Sequence, residues 1–208
     1  MTLHMSANGD ETERSASVIV VGGGPAGLSA ALFAAKNGLE TTVFDTDETW
    51  MHKAHLFNYL GIGSVGGTEF MATARQQVDD LGADRHQGEE VTSVEERGDG
   101  FVVETDADSY EADYVILATG ANRDLAEELG CAFTEEGVVD VDVDMETSVE
   151  GVYATGAMVR PEEWQAAIAV GDGAAAALNV LSTEKGEYYH DFDVPDDAAR
   201  VFGEHVAE

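Results

Sequence analysis

The sequence predicts a single α/β domain: a central parallel β-sheet with helices on one face and an antiparallel β-meander on the other. Three observations predict it. An apolar strand, an Ala-rich helix and a second strand follow one another between Ser17 and Phe44. Three short strand-like runs come later, broken at Gly98-Asp99-Gly100 and at Ala107-Asp108. Two further apolar runs each end in Ala-Thr-Gly, at Gly120 and at Gly156. A length of 208 residues suits one domain, and 44% hydrophobic residues suffice for a core.

Ser17–Val21 (SVIVV) is apolar and mostly β-branched, as a strand buried on both faces must be, and it stops at Gly22-Gly23-Gly24. Pro25 to Asn37 is rich in Ala and Leu and closes at Gly38, a helix stop. Thr41–Phe44 is the next strand, ending in Asp45. Strand, helix and strand at this spacing form a right-handed βαβ unit, the core of a Rossmann-like domain. Thr49–Gly67 mixes histidines, aromatics and glycines and reads as an extended loop with a short helical turn. Thr68–Leu81 reads as an amphipathic helix with Phe70, Met71, Ala74, Val78 and Leu81 on one face. Val91–Glu95, Gly100–Thr105 and Tyr110–Ala112 are the meander. Tyr114–Leu117 and Gly151–Ala154 return to the parallel sheet, and an Ala-rich helix runs from Pro161 to about Leu181. The expected division is a disordered tail over 1–15, the domain over 16–182, and an acidic tail over 183–208. The aromatic cluster Tyr188–Phe192 of that tail is expected to pack on the core or on a partner subunit.

Charge excludes several function classes. Ten Lys plus Arg stand against 42 Asp plus Glu, a net −32, with the acids interspersed along the chain. Such a surface repels phosphate backbones and anionic headgroups, so neither a nucleic-acid nor a membrane partner is expected. The density reads as adaptation to very high salt, where a Debye length of ~3 Å relieves self-repulsion. No apolar run approaches the ~20 residues of a bilayer span, and the first sixteen residues lack the apolar segment of a signal peptide. A cytoplasmic location is expected. The single cysteine, Cys131, excludes a Cys-x-x-Cys pair, an intrachain disulfide and a cysteine zinc cluster within these residues.

The chemistry sits between the first strand and the first helix, in Gly22-x-Gly24-x-x-Gly27. Gly22 makes the tight turn, Gly24 admits a pyrophosphate to the backbone, and Gly27 with Ala31 lets helix and strand pack closely. The helix start presents unpaired N–H groups and the positive end of its dipole to phosphates. Asp45 stands where a carboxylate accepts hydrogen bonds from ribose hydroxyls. No Arg or Lys neighbours Asp45 in the sequence, which argues against a 2′-phosphate. An adenine dinucleotide is the expected ligand.

The remaining motifs choose between FAD and NAD. Val18–Asp45 (VIVVGGGPAGLSAALFAAKNGLETTVFD), Tyr114–Ala121 (YVILATGA), Thr147–Ala157 (TSVEGVYATGA) and Trp164–Ala177 (WQAAIAVGDGAAAA) occur in that order. In this order they resemble the signatures of the FAD domain of the thioredoxin reductase family, among the two-dinucleotide-binding-domain flavoproteins. The resemblance covers about Ser15 to Leu181 and implies FAD as cofactor. It implies that Gly22, Gly24, Pro25, Ala26 and Gly27 cradle the pyrophosphate, that Asp45 holds the ribose, and that Val91 meets adenine through its backbone. Thr119 and Gly120 would pass close to the cofactor, and Asn58, in FNYLG, would flank the isoalloxazine ring. Gln165 and Ala166 would open the helix whose N–H groups face the flavin O2 edge and favour negative charge there. Gly156-Ala157 stands where the family has Gly-Asp, so Ala157 keeps the backbone contact without the carboxylate.

In that family a second Rossmann domain, which binds NADPH and carries the Cys-x-x-Cys, is inserted after Ala-Thr-Gly. Here only about thirty residues separate Gly120 from Val152. The expected function is therefore an FAD-binding oxidoreductase that passes electrons through flavin to or from an external donor or acceptor. The alternative is a non-catalytic flavin-binding module or subunit. A third reading, an NAD-binding or ribulose-thiazole-type synthase on the same scaffold, lacks a plausible sulfur-donating cysteine. A homodimer is expected, with the Thr49–Gly67 loop and the Tyr188–Phe192 cluster of a neighbour covering the open isoalloxazine edge. No catalytic residue is assigned. His52 and His55 have a metal-like spacing but no third ligand. Lys53 reads as a surface salt bridge or as a neighbour of the flavin, Trp50, Phe57 and Tyr59 as stacking or packing groups, and Cys131 as a buried inert thiol.

Overall fold

The computed structural model describes residues 14–193, so the outer parts of both expected tails lie outside the described residues. In chain order the elements are β1 (Ser17–Val21), α1 (Pro25–Lys36), β2 (Glu40–Asp45), β3 (His55–Leu56), β4 (Val65–Gly66), α2 (Gly67–Asp80) and β5 (Asp84–Gln87). There follow β6 (Val91–Arg97), β7 (Gly100–Thr105), β8 (Ser109–Ala112), β9 (Tyr114–Leu117), α3 (Asp124–Glu128), β10 (Val152–Ala154) and α4 (Ala166–Lys185). Five strands form a wholly parallel sheet in the order β10-β9-β1-β2-β5. β6, β7 and β8 form the antiparallel meander.

The alternation of side chains along β1 explains its composition. Val18 and Val20 pack with Leu28, Ala31 and Ala34 on the helical face. Ile19 and Val21 pack with Phe101, Val103 and Ala112 of the meander. Both faces are covered, so Val18 to Val21 must all be apolar. Four of the five strands and the whole meander thus match the sequence reading.

β5 does not match it, because Asp84-Arg85-His86-Gln87 carries no apolar residue. As the edge strand it pairs only with β2, and its long polar side chains reach neighbours instead. Arg85 pairs with Asp79 at 2.9 Å. His86 leans on Phe44 and Tyr110; burial alone lowers its pKa, but hydrogen bonds to Asp84 and Glu89 outweigh this and raise it. The loop after β2 contains the expected helical turn, a 3-10 turn at Trp50–Lys53, and also the small β3–β4 pair. In α2, Met71 and Val78 are fully buried while Leu81 falls beyond the helix and stays 40% exposed, so it is no core residue.

α4 starts five residues after the expected Pro161, with Gln165 as its N-cap, and runs through Lys185 to a left-handed Gly186. It therefore passes residue 182, where the domain was expected to end. At 20 residues and mean hydropathy 1.3 it is long and apolar enough to cross a bilayer, against the sequence expectation. Its inner face, Gly173, Ala176, Ala177, Val180 and Leu181, is buried on the core. α4 crosses α1 at backbone contact: a Cβ on Gly173 would strike the Ala26 carbonyl oxygen and lie 3.1 Å from the Ala30 nitrogen. Beside it the Ser29 hydroxyl donates to the Val170 carbonyl at 2.7 Å.

After Gly186 the chain turns back onto the carboxyl end of α1. The Tyr189 hydroxyl donates to Asn37 Oδ1 at 2.6 Å, and Lys36 pairs with Asp191 at 2.6 Å. Tyr189 packs on the core as expected of the aromatic cluster, whereas Tyr188 and Phe192 stay exposed.

The crossing generates a matched pair of substitutions. Gly173→Ala should destabilise the fold by roughly 1–3 kcal/mol through overpacking. Gly171→Ala, whose Cβ meets nothing within 4 Å, should stabilise it by roughly 0.5–1 kcal/mol. Thermal midpoints measure both; a Gly173→Ala midpoint at or above wild type would show that the helices are not in backbone contact.

Candidate cofactor-binding site

Ligands of open α/β sheets bind at the carboxyl ends of the strands, where the strand order reverses. In this sheet that place lies between β1, which the chain follows outward to β2, and β9, which leads outward to β10. The loop after β1 holds Gly22 at φ +109°, its N–H bound to the Phe44 carbonyl at 2.8 Å. Gly24 is the N-cap of α1 and Pro25 its first residue, so the N–H groups of Ala26 and Gly27 have no partner within the helix.

Each glycine of the loop omits a side chain for a different reason. A Cβ on Gly22 would strike the Ala118 carbonyl, one on Gly23 the Asp45 carboxylate, and one on Gly27 the Gly22 carbonyl. Gly24 differs: the nearest protein atom to its missing Cβ is Thr49 Oγ1, at an ordinary 3.7 Å. The protein does not need Gly24 for its own packing, and a pyrophosphate lying on the helix start does. The cradle fits a dinucleotide on this observation. Gly23 is a site residue the motif hides, because its position there is nominally free.

Asp45 ends β2 and is 4% exposed. Its Oδ1 accepts from the Asp47 N–H at 2.9 Å and its Oδ2 from Arg75 Nη2 at 3.1 Å. The sequence expectation that no cation stands beside Asp45 is thus corrected: Arg75 arrives from α2, thirty positions along the chain. Asp47 also binds Arg75, accepts from Gln87 Nε2 at 3.0 Å and meets His52 Nε2 at 2.8 Å. Hydrogen bonds from His52 and Arg75 lower its pKa to about 2. Val91 opens β6 nearby, since the Gly88 N–H donates to the Asp45 carbonyl at 2.6 Å.

The opposite wall comes from the two Ala-Thr-Gly turns. The Thr119 hydroxyl donates to the Asn122 carbonyl at 2.7 Å, and Gly120 is exposed at φ +67°. Gly156, at φ +70°, lets its turn approach Ala26, whose Cβ would lie 3.1 Å from an added Cβ. Arg123 ties the walls together: Nε donates to the Met158 carbonyl at 2.9 Å, Nη2 to that of Ala157 at 3.0 Å, and Nη1 to that of Ala121 at 3.1 Å. Gln165 caps α4 and Ala166 begins it, so a second helix start opens beside Gly156. Asn58 Nδ2 donates to Gln165 Oε1 at 2.7 Å, and Trp50 packs edge-on against Trp164 at 5.4 Å. Of the loop residues expected beside the flavin, Asn58 and Trp50 are therefore held at the start of α4, whereas Tyr59 packs on Phe70 and Phe57 on His55.

Other candidates are used structurally. Cys131 is buried, its thiol 3.6 Å from the Thr147 hydroxyl, and burial raises its pKa. His55 bonds Ser64 at 2.9 Å and lies against Phe57, and no group of three metal-ligating side chains occurs among the described residues. Lys53 is exposed and forms no ion pair among the described residues, so the expected salt bridge is absent there. A hollow of about 590 Å³ lies at the amino ends of the strands, lined by Asp99, Asp113, Glu146 and Glu184 among others. Its carboxylates would repel a pyrophosphate.

Fold and site define an α/β domain that binds an adenine dinucleotide at the carboxyl edge of its sheet. The profile of the pyridine nucleotide-disulphide oxidoreductase family matches residues 16–122 and 64–171, and the chain belongs to that family. A dihydrolipoyl dehydrogenase from Haloferax volcanii is 30% identical over 173 residues, covering 78% of this chain and 34% of that protein. A thioredoxin reductase from Treponema pallidum is 37% identical over 116 residues, 51% of this chain and 36% of that protein. The chain thus spans about a third of the length of these curated relatives. The atypical thioredoxin reductase TRi from Desulfovibrio vulgaris Hildenborough superposes with a TM-score of 0.76 at 19% identity, over 83% of this chain and 99% of that one. A ferredoxin-flavin thioredoxin reductase from Clostridium acetobutylicum gives 0.71 at 19% identity, over 83% and 99%. These structures share the fold, that of a thioredoxin reductase FAD domain. FAD is the standard cofactor of this group, and the cradle around Gly24 fits it.

Gly24→Val should therefore fold with a near-native thermal midpoint and lose more than about tenfold of its flavin content, because a β-branched side chain occupies the pyrophosphate's approach. Flavin absorbance after gel filtration measures this; a folded variant with normal flavin would place the cofactor elsewhere.

Proposed function

We propose that the chain is the flavin-bearing unit of an oxidoreductase, which holds FAD and passes electrons to or from an external donor or acceptor. The observation that carries this reading is the convergence of two helix starts, Gly24–Gly27 of α1 and Gln165–Ala166 of α4, on one crevice. Bound FAD supplies reversible transfer of electron pairs. The chain's own residues bind and orient it: the N–H groups of α1 take the pyrophosphate, and the start of α4 favours negative charge at the ring edge. Asn58, fixed by Gln165, flanks that edge.

The connection from β9 to β10 supports an external partner. It contains only α3 and irregular chain, folded back by Arg123 onto the turn after β10. No second glycine-rich phosphate loop lies in it, and one cysteine cannot form a dithiol. With reduced nicotinamide as sole donor, the isolated chain should show negligible reduction of thioredoxin or of a dithiol reagent, while dithionite should bleach the bound flavin. Steady turnover of NADPH would reveal a nicotinamide site this reading lacks.

The reading includes a homodimer in a salt-rich cytoplasm, without nucleic-acid or membrane partners. Residues 49–68 contain no Asp or Glu in a chain that has 42. The same stretch exposes Trp50, Phe57, Leu60 and Ile62. Like-charge repulsion between copies at −32 is least there, so a second copy is the occupant that surface suits. The exposed Tyr188 and Phe192 lie at the far end of α1 and α4 from this stretch, so any cover they give comes from a second copy. At about 3 M KCl the protein should scatter light as a dimer and melt well above its midpoint at about 0.1 M. Phe57→Ser with Leu60→Ser should give a folded monomer. A wild-type monomer at high salt, or a midpoint indifferent to salt, would overturn these points.

A further inference from the structure

Arg75 is one of ten cationic residues in the chain, and it is directed wholly inward. Its side chain is 13% exposed, and its partners are the Asp45 carboxylate, itself 5% exposed, and that of Asp47. Asp47 adopts φ +62°, a left-handed conformation uncommon for a residue with a side chain. That conformation achieves two contacts at once. The Asp47 N–H reaches Asp45 Oδ1, and the Asp47 carboxylate turns back toward Arg75, His52 and Gln87. A backbone held in a sparsely populated region signals a site that the surroundings over-determine. The cluster occupies the carboxyl ends of β2 and β5, beside Gly23, whose missing side chain makes room for Asp45.

Resting on the reading of Asp45 as the ribose acceptor, we infer that Arg75 is the positioning and specificity-determining residue of the ribose subsite. Through Nη2 its guanidinium holds two carboxylates together and fixes the direction of Asp45, and their two charges outweigh its own before any phosphate on the ribose arrives. Two carboxylates and one guanidinium leave the cluster one negative charge in excess. A ribose with free hydroxyls finds an oriented acceptor there, and a 2′-phosphate finds repulsion. Both carboxylates are held by the one nitrogen Nη2, and the Nε behind it is buried without a partner. Removing Arg75 leaves the buried Asp45 carboxylate uncompensated beside the part-exposed one of Asp47, a repulsion relieved by turning away. The loss falls on the adenosine half of the cofactor and spares the flavin half.

Calorimetry on apoprotein tests this with matched ligands. Arg75→Gln should weaken FAD and ADP-ribose by roughly tenfold or more, about 1.4 kcal/mol per factor of ten, and leave FMN unchanged. Arg75→Lys, which keeps the charge but loses the planar, delocalised guanidinium, should fall between, and it carries the comparison if Arg75→Gln does not fold. Wild type should bind ADP-ribose at least roughly tenfold more tightly than its 2′-phosphate derivative. Equal losses for FAD and FMN would reduce Arg75 to an anchor of α2. Unchanged FAD binding would remove it from the site, and wild-type preference for the 2′-phosphate would make it a phosphate receptor. If wild-type apoprotein takes up no FAD at all, the cofactor reading fails instead, and with it the premise.

Discussion

The crevice exists because backbone meets backbone at three points where side chains would otherwise stand. Gly22 lies on the Ala118 carbonyl, Gly27 on the Gly22 carbonyl, and Gly173 on the Ala26 carbonyl. The first contact brings the turn after β1 against the turn after β9. The second presses α1 onto its own strand, and the third lays α4 across α1. These three close approaches carry two helix starts to the same edge of the sheet. Everything the site does with an anion follows from that placement, since each helix start offers unpaired N–H groups and the positive end of a dipole.

The parts of this fold that were legible in the sequence are those whose burial is symmetric or regular. β1 and β9 are covered on both faces and had to be apolar throughout; the meander alternates and breaks at glycines. β5 was illegible because an edge strand needs only backbone pairing, and its four polar side chains bond to neighbours distant in sequence. Leu81 fitted the period of α2, but the helix ends one residue earlier and its side chain is left in solvent. The start of α4 was misplaced by composition at Pro161, while the resemblance placed it at Gln165. A proline opens many helices, but here Pro161 and Glu162 only bend the chain, and Trp164 and Gln165 bond back two residues.

In the site, the glycine loop and Asp45 could be read because their spacing is fixed by one βαβ unit. Arg75 could not, since it reaches Asp45 from another helix, and no local pattern marks an arginine turned inward. Asp47 was equally hidden, as its role depends on a left-handed backbone that nothing beside it in the sequence demands. Gly23 did leave a trace: a third consecutive glycine between the two that the motif requires.

Electrostatics ties these features together. A chain at −32 has few cations, and the structure commits most of those described to internal partners. Arg75 holds Asp45 and Asp47, Arg85 holds Asp79, Arg160 holds Asp172, Arg14 reaches Asp113, and Arg123 gathers three carbonyls. None of these is left to neutralise a phosphate by direct contact. Binding a pyrophosphate through helix starts resolves that shortage, because peptide dipoles are part of the fold and do not depend on side-chain composition. They are also modest, about 0.3–1 kcal/mol for each charge at a surface helix end. Two helix ends, the buried Asp45 carboxylate and a loop clear of carboxylates come together at the sheet edge, the only place in the described fold where all of them meet.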